Sequence, residues 1–176
     1  MNDDEKDFQL EFIQAIHEEK IKTQQERANY ITSKFAFITG LFSLGALQIG
    51  QTNFRLLFYF IPMVAIGYDL YIRAADLSIK KMGTFLRSDP LSNTTETEKA
   101  WERFSASHRD KLAQLATTLF SYIIIGTAAI SIYILQGDEK TPAFTILFII
   151  WLGVSLVINT LLWNSHRSEV RRLDQK

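Results

Sequence analysis

The charges of this chain are zoned. Residues 35–54, 112–137 and 141–166 contain no Asp, Glu, Lys or Arg, and residues 56–72 contain only Asp69. Almost all the charge lies in 1–34, 73–111 and 167–176. A formal net charge of zero, from 19 basic and 19 acidic residues, hides this segregation. A helix needs about 20 apolar residues to cross a bilayer core. Four stretches are read as transmembrane: 31–49, 54–72, 115–135 and 143–163. The last two meet the length rule without interruption. Lys34 cuts into the first, where it could snorkel to the interface. Asp69 cuts into the second, about one turn from its end, where it could also reach the headgroups.

The fold class expected is all-α: a polytopic membrane protein with four transmembrane helices in two hairpins. Gly50-Gln51-Thr52-Asn53 joins the first pair, and residues 136–142 join the second, with Thr141 and Pro142 as N-cap and first helical position. The two links carry Arg55 and Lys140, while the remaining segments carry seventeen basic residues. The positive-inside rule therefore puts both termini and the middle segment in the cytoplasm. Residues 1–33 read as an amphipathic cytoplasmic helix, 74–111 as a cytoplasmic helical loop and 164–176 as a cytoplasmic tail. The whole is expected to form a bundle with two floors, one in lipid and one in the cytoplasm.

Within the cytoplasmic parts, Asn2 with Glu5 resembles a capping box, and Phe8, Phe12, Ala15 and Ile16 recur at helical spacing. The helix after the second crossing should run to about Arg87, where Ser88-Asp89-Pro90 stops it. Thr95-Glu96-Thr97-Glu98 is a second capping box. The helix it starts has an apolar face of Trp101, Phe104, His108, Leu112 and Leu115, expected to lead straight into the third crossing. Such stripes need burial, against each other or against a neighbouring subunit.

Chemistry-bearing patterns are few. With no cysteine, disulfides, thiolate zinc sites and a cysteine nucleophile are excluded. The first apolar stretch begins too late for a cleavable signal peptide. The charge balance gives no nucleic-acid signature, and no cofactor-binding motif is present. His17, His108 and His166 fall on separate helices without an i,i+3 or i,i+4 ligand pair, so no metal site is assigned. Arg103-x4-His108 matches the Arg-x4-6-His spacing of helical ribonucleases, in which His acts as acid and base and Arg holds the phosphate. The competing reading is an interfacial histidine, grouped with Trp101, Phe104, Arg103 and Arg73 as a cytoplasmic interface.

The intramembrane polar candidates are Asp69, Asn159 and Gln48. An ionisable residue in a span is a functional candidate by default. Asp69 could instead pair with Arg73, one turn on, at the interface. Asn159 should bond a neighbouring helix. Gly40, Gly50 and Gly126 allow close helix approach, within the bundle or at an oligomer seam. Pro62 could kink its helix. Asn93-Thr94-Thr95 is a glycosylation sequon that this topology leaves unused.

The stretch from about Phe8 to Phe104 resembles a widespread group of small four-helix bacterial inner-membrane proteins. EEKIKTQQERANYI, IPMVAIGYDLYIRAADLSIKKMGTFLR and a WERF-like continuation carry it. Within these, Asp69-Leu70, Ile79-x3-Gly83 and Phe85-Leu86-Arg87 weigh most. The chain also resembles membrane effectors and accessory subunits of bacterial antiviral, CRISPR-type loci. The resemblance implies no catalytic residues. It points to a homo-oligomeric membrane protein that perturbs the bilayer or forms a pore. A docking module for a cytoplasmic protein is the alternative, and a membrane-tethered nuclease the third.

Overall fold

The computed structural model describes residues 3–49, 52–88, 92, 94–108, 111–135 and 141–174. Five helices make up nearly all of it: α1 Asp3–Gly45, α2 Leu57–Ser88, α3 Glu96–Ser107, α4 Lys111–Leu135 and α5 Pro142–Asp174. Two-residue strands, β1 Gln48–Ile49 and β2 Thr52–Asn53, pair antiparallel between α1 and α2, with Gln48 opposite Asn53. The all-helical class expected from the periodicity is what the chain adopts. The Asn2 cap, Gly50, Asp89-Pro90 and the asparagine of the sequon lie outside the described residues.

Local chemistry explains the helix starts. Thr95 is the N-cap of α3, its hydroxyl accepting from the Glu98 backbone N–H at 3.3 Å. Thr141 caps α5 in the same way, accepting from Phe144 N–H at 3.2 Å, with Pro142 in the first position. The expected continuous passage from the middle helix into the third crossing does not occur. The α3 helix ends at Ser107, and α4 begins at Lys111. His108 is the C-cap of α3. The Phe104 oxygen accepts the His108 backbone N–H and the Ser107 hydroxyl, and His108 Nδ1 lies 3.0 Å from it.

The chain divides into two compact units. One comprises Tyr30–Leu70 and Lys111–Ser165; the other comprises Met1–Asn29, Tyr71–Asp110 and His166–Lys176. The first, apolar unit has a core of Ile38, Phe58, Ile61, Ala65, Ile124, Ala128 and Ile132. Its outer surface is apolar as well. Ile146, Leu147, Ile149, Val157 and Leu161 of α5 are all more than half exposed, an arrangement suited to lipid rather than water. Among the described residues, three helices are long and apolar enough to cross a membrane: α2, α4 and α5. The apolar stretch of α1 is not among them, although 31–49 is expected to cross.

The second, polar unit is built differently. Among its described residues the buried apolar side chains are Ile72, Ala75 and Leu86, whereas Thr23, Asp76, Lys80, Glu102 and His166 are also buried. Ion pairs and hydrogen bonds therefore replace much of an ordinary apolar core.

Candidate functional site

The apolar unit encloses a charged centre. Lys34 of α1 and Asp69 of α2 are only 2% and 1% exposed. The Lys34 ammonium donates to Asp69 Oδ1 at 2.6 Å and to Ser121 Oγ of α4, also at 2.6 Å. The Ser121 hydroxyl donates to Asp69 Oδ2. Three helices thus meet through one closed set of bonds. The Phe120 ring lies 5.9 Å from the ammonium and stacks on Phe35 at a 4.2 Å centroid distance, adding a cation–π contact. Burying a charge is tolerable only when it is paired and bonded, as here.

The expectations that Lys34 snorkels to an interface and that Asp69 reaches the headgroups are therefore corrected. Both point into the unit, because each neutralises the other there. Two bonds of Asp69 run across helices, to Lys34 and Ser121. Arg73 is half-buried in the polar unit. A signal for the pairing exists in the sequence. Lys34 stands sixteen positions before Gly50, and Asp69 stands sixteen after Asn53. A tight link at 50–53 returns the chain antiparallel, so residues equidistant from it fall at the same depth.

Asn159 on α5 is fully buried, and among the described residues neither its amide nitrogen nor its amide oxygen has a hydrogen-bond partner. The expected bond to a neighbouring helix is not made among the described residues. Its depth follows from helix register. Trp151 Nε1 donates to the Tyr59 carbonyl at 3.1 Å, and Ile158 shares a groove with Ile66. That offset places Asn159 level with Gly67, about 3 Å of axial rise from Asp69. The bond of 2.7 Å between the Tyr122 and Thr160 hydroxyls independently puts it beside the turn of α4 that holds Ser121. One polar layer therefore crosses the apolar unit, part of it closed in bonds and part unsatisfied.

Pro62 is buried in α2, and the Tyr59 carbonyl bonded by Trp151 lies three residues before it. A neighbouring helix thus supplies a donor where the proline perturbs the ladder. Gly40 and Gly126 are not points of close approach within the chain, since a Cβ at either would meet nothing within 4 Å. Gly40 instead lines an open groove of about 480 Å³ with Phe37, Leu44 and Tyr68. The glycine the sequence reading missed is Gly45, where a Cβ would lie 3.0 Å from the Phe58 ring. The side chain of Gln48 lies outside the described residues.

The polar unit has its own centre at Asp76, beyond the apolar stretch 54–72. Lys80 Nζ donates to Asp76 Oδ2 at 2.6 Å, His166 Nε2 lies 3.1 Å from the same oxygen, and Arg27 Nη1 lies 3.7 Å from Oδ1. Burial alone would raise the pKa of this carboxyl. The bonds from His166 and Lys80 and the charges of Lys80 and Arg27 outweigh it, holding the group well below the usual carboxylate range. Two further pairs, His17–Glu98 and Lys20–Glu102, tie α3 to α1. A Cβ at Gly83 would come within 3.0 Å of Glu102 Oε2, so the glycine of the Ile79-x3-Gly83 step leaves room for that carboxylate.

These pairs turn the charged face of α3 inward and its aromatic face outward. Trp101 and Phe104 are 64% and 54% exposed. Trp101, Phe104 and His108 form a stacked ladder, with centroid spacings of 6.0 and 4.1 Å. Arg103 is exposed too, and no bond among the described residues joins it to His108.

No family model matches the chain, and neither does any curated protein or solved structure.

Proposed function

We propose that this chain is a non-enzymatic integral membrane protein of the bacterial cytoplasmic membrane that assembles into an oligomer and permeabilises the bilayer, as an effector or accessory subunit of a defence or stress system. The observation that carries this reading is the polar layer in the apolar unit. Lys34, Asp69 and Ser121 are mutually satisfied, but the Asn159 amide at the same depth is not. A buried amide without a partner costs about 1–3 kcal/mol, and a chain meant only to span lipid has no use for one. Bound water or a passing ion would satisfy it.

In this reading α1 is the fourth span. Lys34 depresses its apolarity when counted as a free charge, yet the pairing with Asp69 removes much of that cost. Four crossings place both termini and residues 74–111 on the cytoplasmic side, as the basic residues favour.

The test is potassium release from proteoliposomes. The wild type is expected to dissipate a potassium gradient. Asn159→Leu, close in volume but without an amide, is expected to slow release at least tenfold while leaving the thermal unfolding midpoint unchanged or higher. Release that is unaltered in this variant, or absent from the wild type, counts against permeation through this layer.

A second reading, a membrane module that docks a cytoplasmic protein through 74–111, is favoured by the exposed Trp101–Phe104–His108 ladder. It predicts that Trp101→Ser abolishes capture of one soluble partner and leaves potassium release unchanged. The nuclease reading gains no support from the open placement of Arg103 and His108.

A further inference from the structure

The Asp76 centre of the polar unit gathers more positive charge than its carboxylate answers. Lys80 and His166 both reach Asp76 Oδ2, at 2.6 and 3.1 Å. Arg27 comes no nearer to Oδ1 than 3.7 Å, which is beyond hydrogen-bond length. Two permanent cations therefore face one carboxylate, and protonation of His166 raises the excess to two charges. Lys80 and His166 are only 4% and 8% exposed, so water screens that excess poorly. A buried charge without a counter-charge is strongly destabilising.

The same side chains carry unused hydrogen-bonding atoms. Among the described residues, neither Arg27 Nε nor His166 Nδ1 has a partner, although both atoms are buried. Arg27 comes from α1 and His166 from α5, and they converge on one carboxylate of α2. In each side chain the orphaned nitrogen is separated by a single carbon from the nitrogen that faces Asp76. Both orphans therefore belong to this centre. The Arg27 side chain is 30% exposed, which opens the centre to the surface of the polar unit.

We infer that this centre is a binding site for a phosphate group, held by Arg27 of α1 and His166 of α5, with Lys80 adding charge. Water would satisfy an orphaned nitrogen but brings no counter-charge. A phosphate group carries about one and a half to two negative charges near pH 7, which matches the excess. Its oxygens point tetrahedrally, so one group accepts from donors on two helices, and guanidinium nitrogens are well suited to it. It also serves either form of His166. A phosphate oxygen accepts from the Nδ1–H of the imidazolium, and a phosphate hydroxyl donates to the Nδ1 lone pair of the neutral ring. Asp76 does not meet the ligand in this arrangement. Its Oδ2 is taken by Lys80 and His166, and it holds those two side chains in place. Inorganic phosphate and the headgroup of phosphatidic acid both present the required group.

This site stands apart from the permeation reading, and binding rather than ion flux reads it out. The full chain in phosphatidylcholine nanodiscs is titrated with millimolar sodium phosphate, against sodium chloride at equal ionic strength. Phosphate is expected to raise the thermal unfolding midpoint, and the protein to broaden the phosphorus-31 resonance of the added phosphate. His166→Gln keeps a nitrogen donor to Asp76 and removes Nδ1. Arg27→Lys keeps the charge and removes Nε. Each variant is expected to fold and to weaken binding about tenfold or more. The resonance reports binding even where a variant starts from a lower midpoint, and if one variant fails to fold the other carries the test. Nanodiscs containing phosphatidic acid separate the two sources. Displacement of inorganic phosphate, or stabilisation by phosphatidic acid that His166→Gln abolishes, makes the occupant a lipid headgroup. Phosphate binding indifferent to phosphatidic acid makes it a soluble phosphate. A wild type that responds to neither probe beyond the chloride control overturns the inference. So does a response that either folded variant retains in full, which is the mark of binding elsewhere or of salt exclusion from the surface.

Discussion

Removing one member of the Lys34–Asp69 pair leaves the other as a bare charge in an apolar interior. Breaking a buried pair from one side destabilises by about 3–5 kcal/mol, whereas replacing both members by apolar groups is often neutral. Lys34→Met is therefore expected to lower stability by about that amount, and Lys34→Met/Asp69→Leu to recover most of it, as measured by unfolding in detergent micelles. Ser121→Ala removes a single hydroxyl bonded to both, with a loss of about 1–2 kcal/mol. If the double variant is stable but no longer releases potassium, the pair serves permeation. If it is stable and still active, the pair is a fastener and Asn159 alone carries the polar path. The sequence made both charges conspicuous, as intrusions into apolar runs. Their partnership was harder to see because local spacing offered Arg73 one turn from Asp69, and a partner 35 residues away competes with that only once the depth of each residue is reckoned from the link. Asn159 was visible as a polar residue in a span, but its lack of a partner depends on three helices at once.

At the scale of elements, the helices and their caps were largely legible, because periodicity and the Thr95 and Thr141 caps are local signals. The break between α3 and α4 was not, since no Gly or Pro marks the end of α3 at Ser107. Nor was the orientation of α3. A stripe of Trp101 and Phe104 argues for burial, yet Glu98 and Glu102 win the inner position by pairing with His17 and Lys20. The same use of charge as glue joins α1, α2 and α5 at Asp76, and it makes the polar unit sensitive to acid. The folded pKa of Asp76 is depressed, so the native state holds fewer protons on this group than the unfolded chain does near its ordinary pKa of about 3.9. Its stabilising contribution is complete above that value and is lost as pH falls through the lower, folded one. The unfolding midpoint should therefore drop between about pH 5 and pH 2.5. Asp76→Asn should lower the midpoint at neutral pH and flatten that drop. A wild-type midpoint indifferent to acid over the range would mean that Arg27, Lys80 and His166 do not depend on the carboxylate.

For the whole molecule the open question is whether α1 crosses the membrane, and parity answers it. Apolarity and length qualify α2, α4 and α5, and an odd number of crossings puts the two termini on opposite sides. A fourth crossing by α1 puts them on the same side. The balance turns on Lys34, because a lone charge at mid-span is costly enough to keep a helix out of lipid, whereas one inserted together with Asp69 and Ser121 brings its own counter-charge. The hairpin of α1 and α2 should therefore enter as a unit, with β1 and β2 at its tip. The chain has no cysteine, so single substitutions report directly. Leu47→Cys and Thr141→Cys should react with an impermeant maleimide applied to intact cells. Gln14→Cys and Ser168→Cys should react only after lysis. If instead Gln14→Cys labels from outside while Ser168→Cys does not, α1 lies off the crossing path, three helices span, and the four-span permeation reading fails. Asp69→Leu sharpens the test. Without its counter-charge Lys34 should draw α1 out of the bilayer, making Leu47→Cys labelling partial. In the Lys34→Met/Asp69→Leu background, full labelling should return.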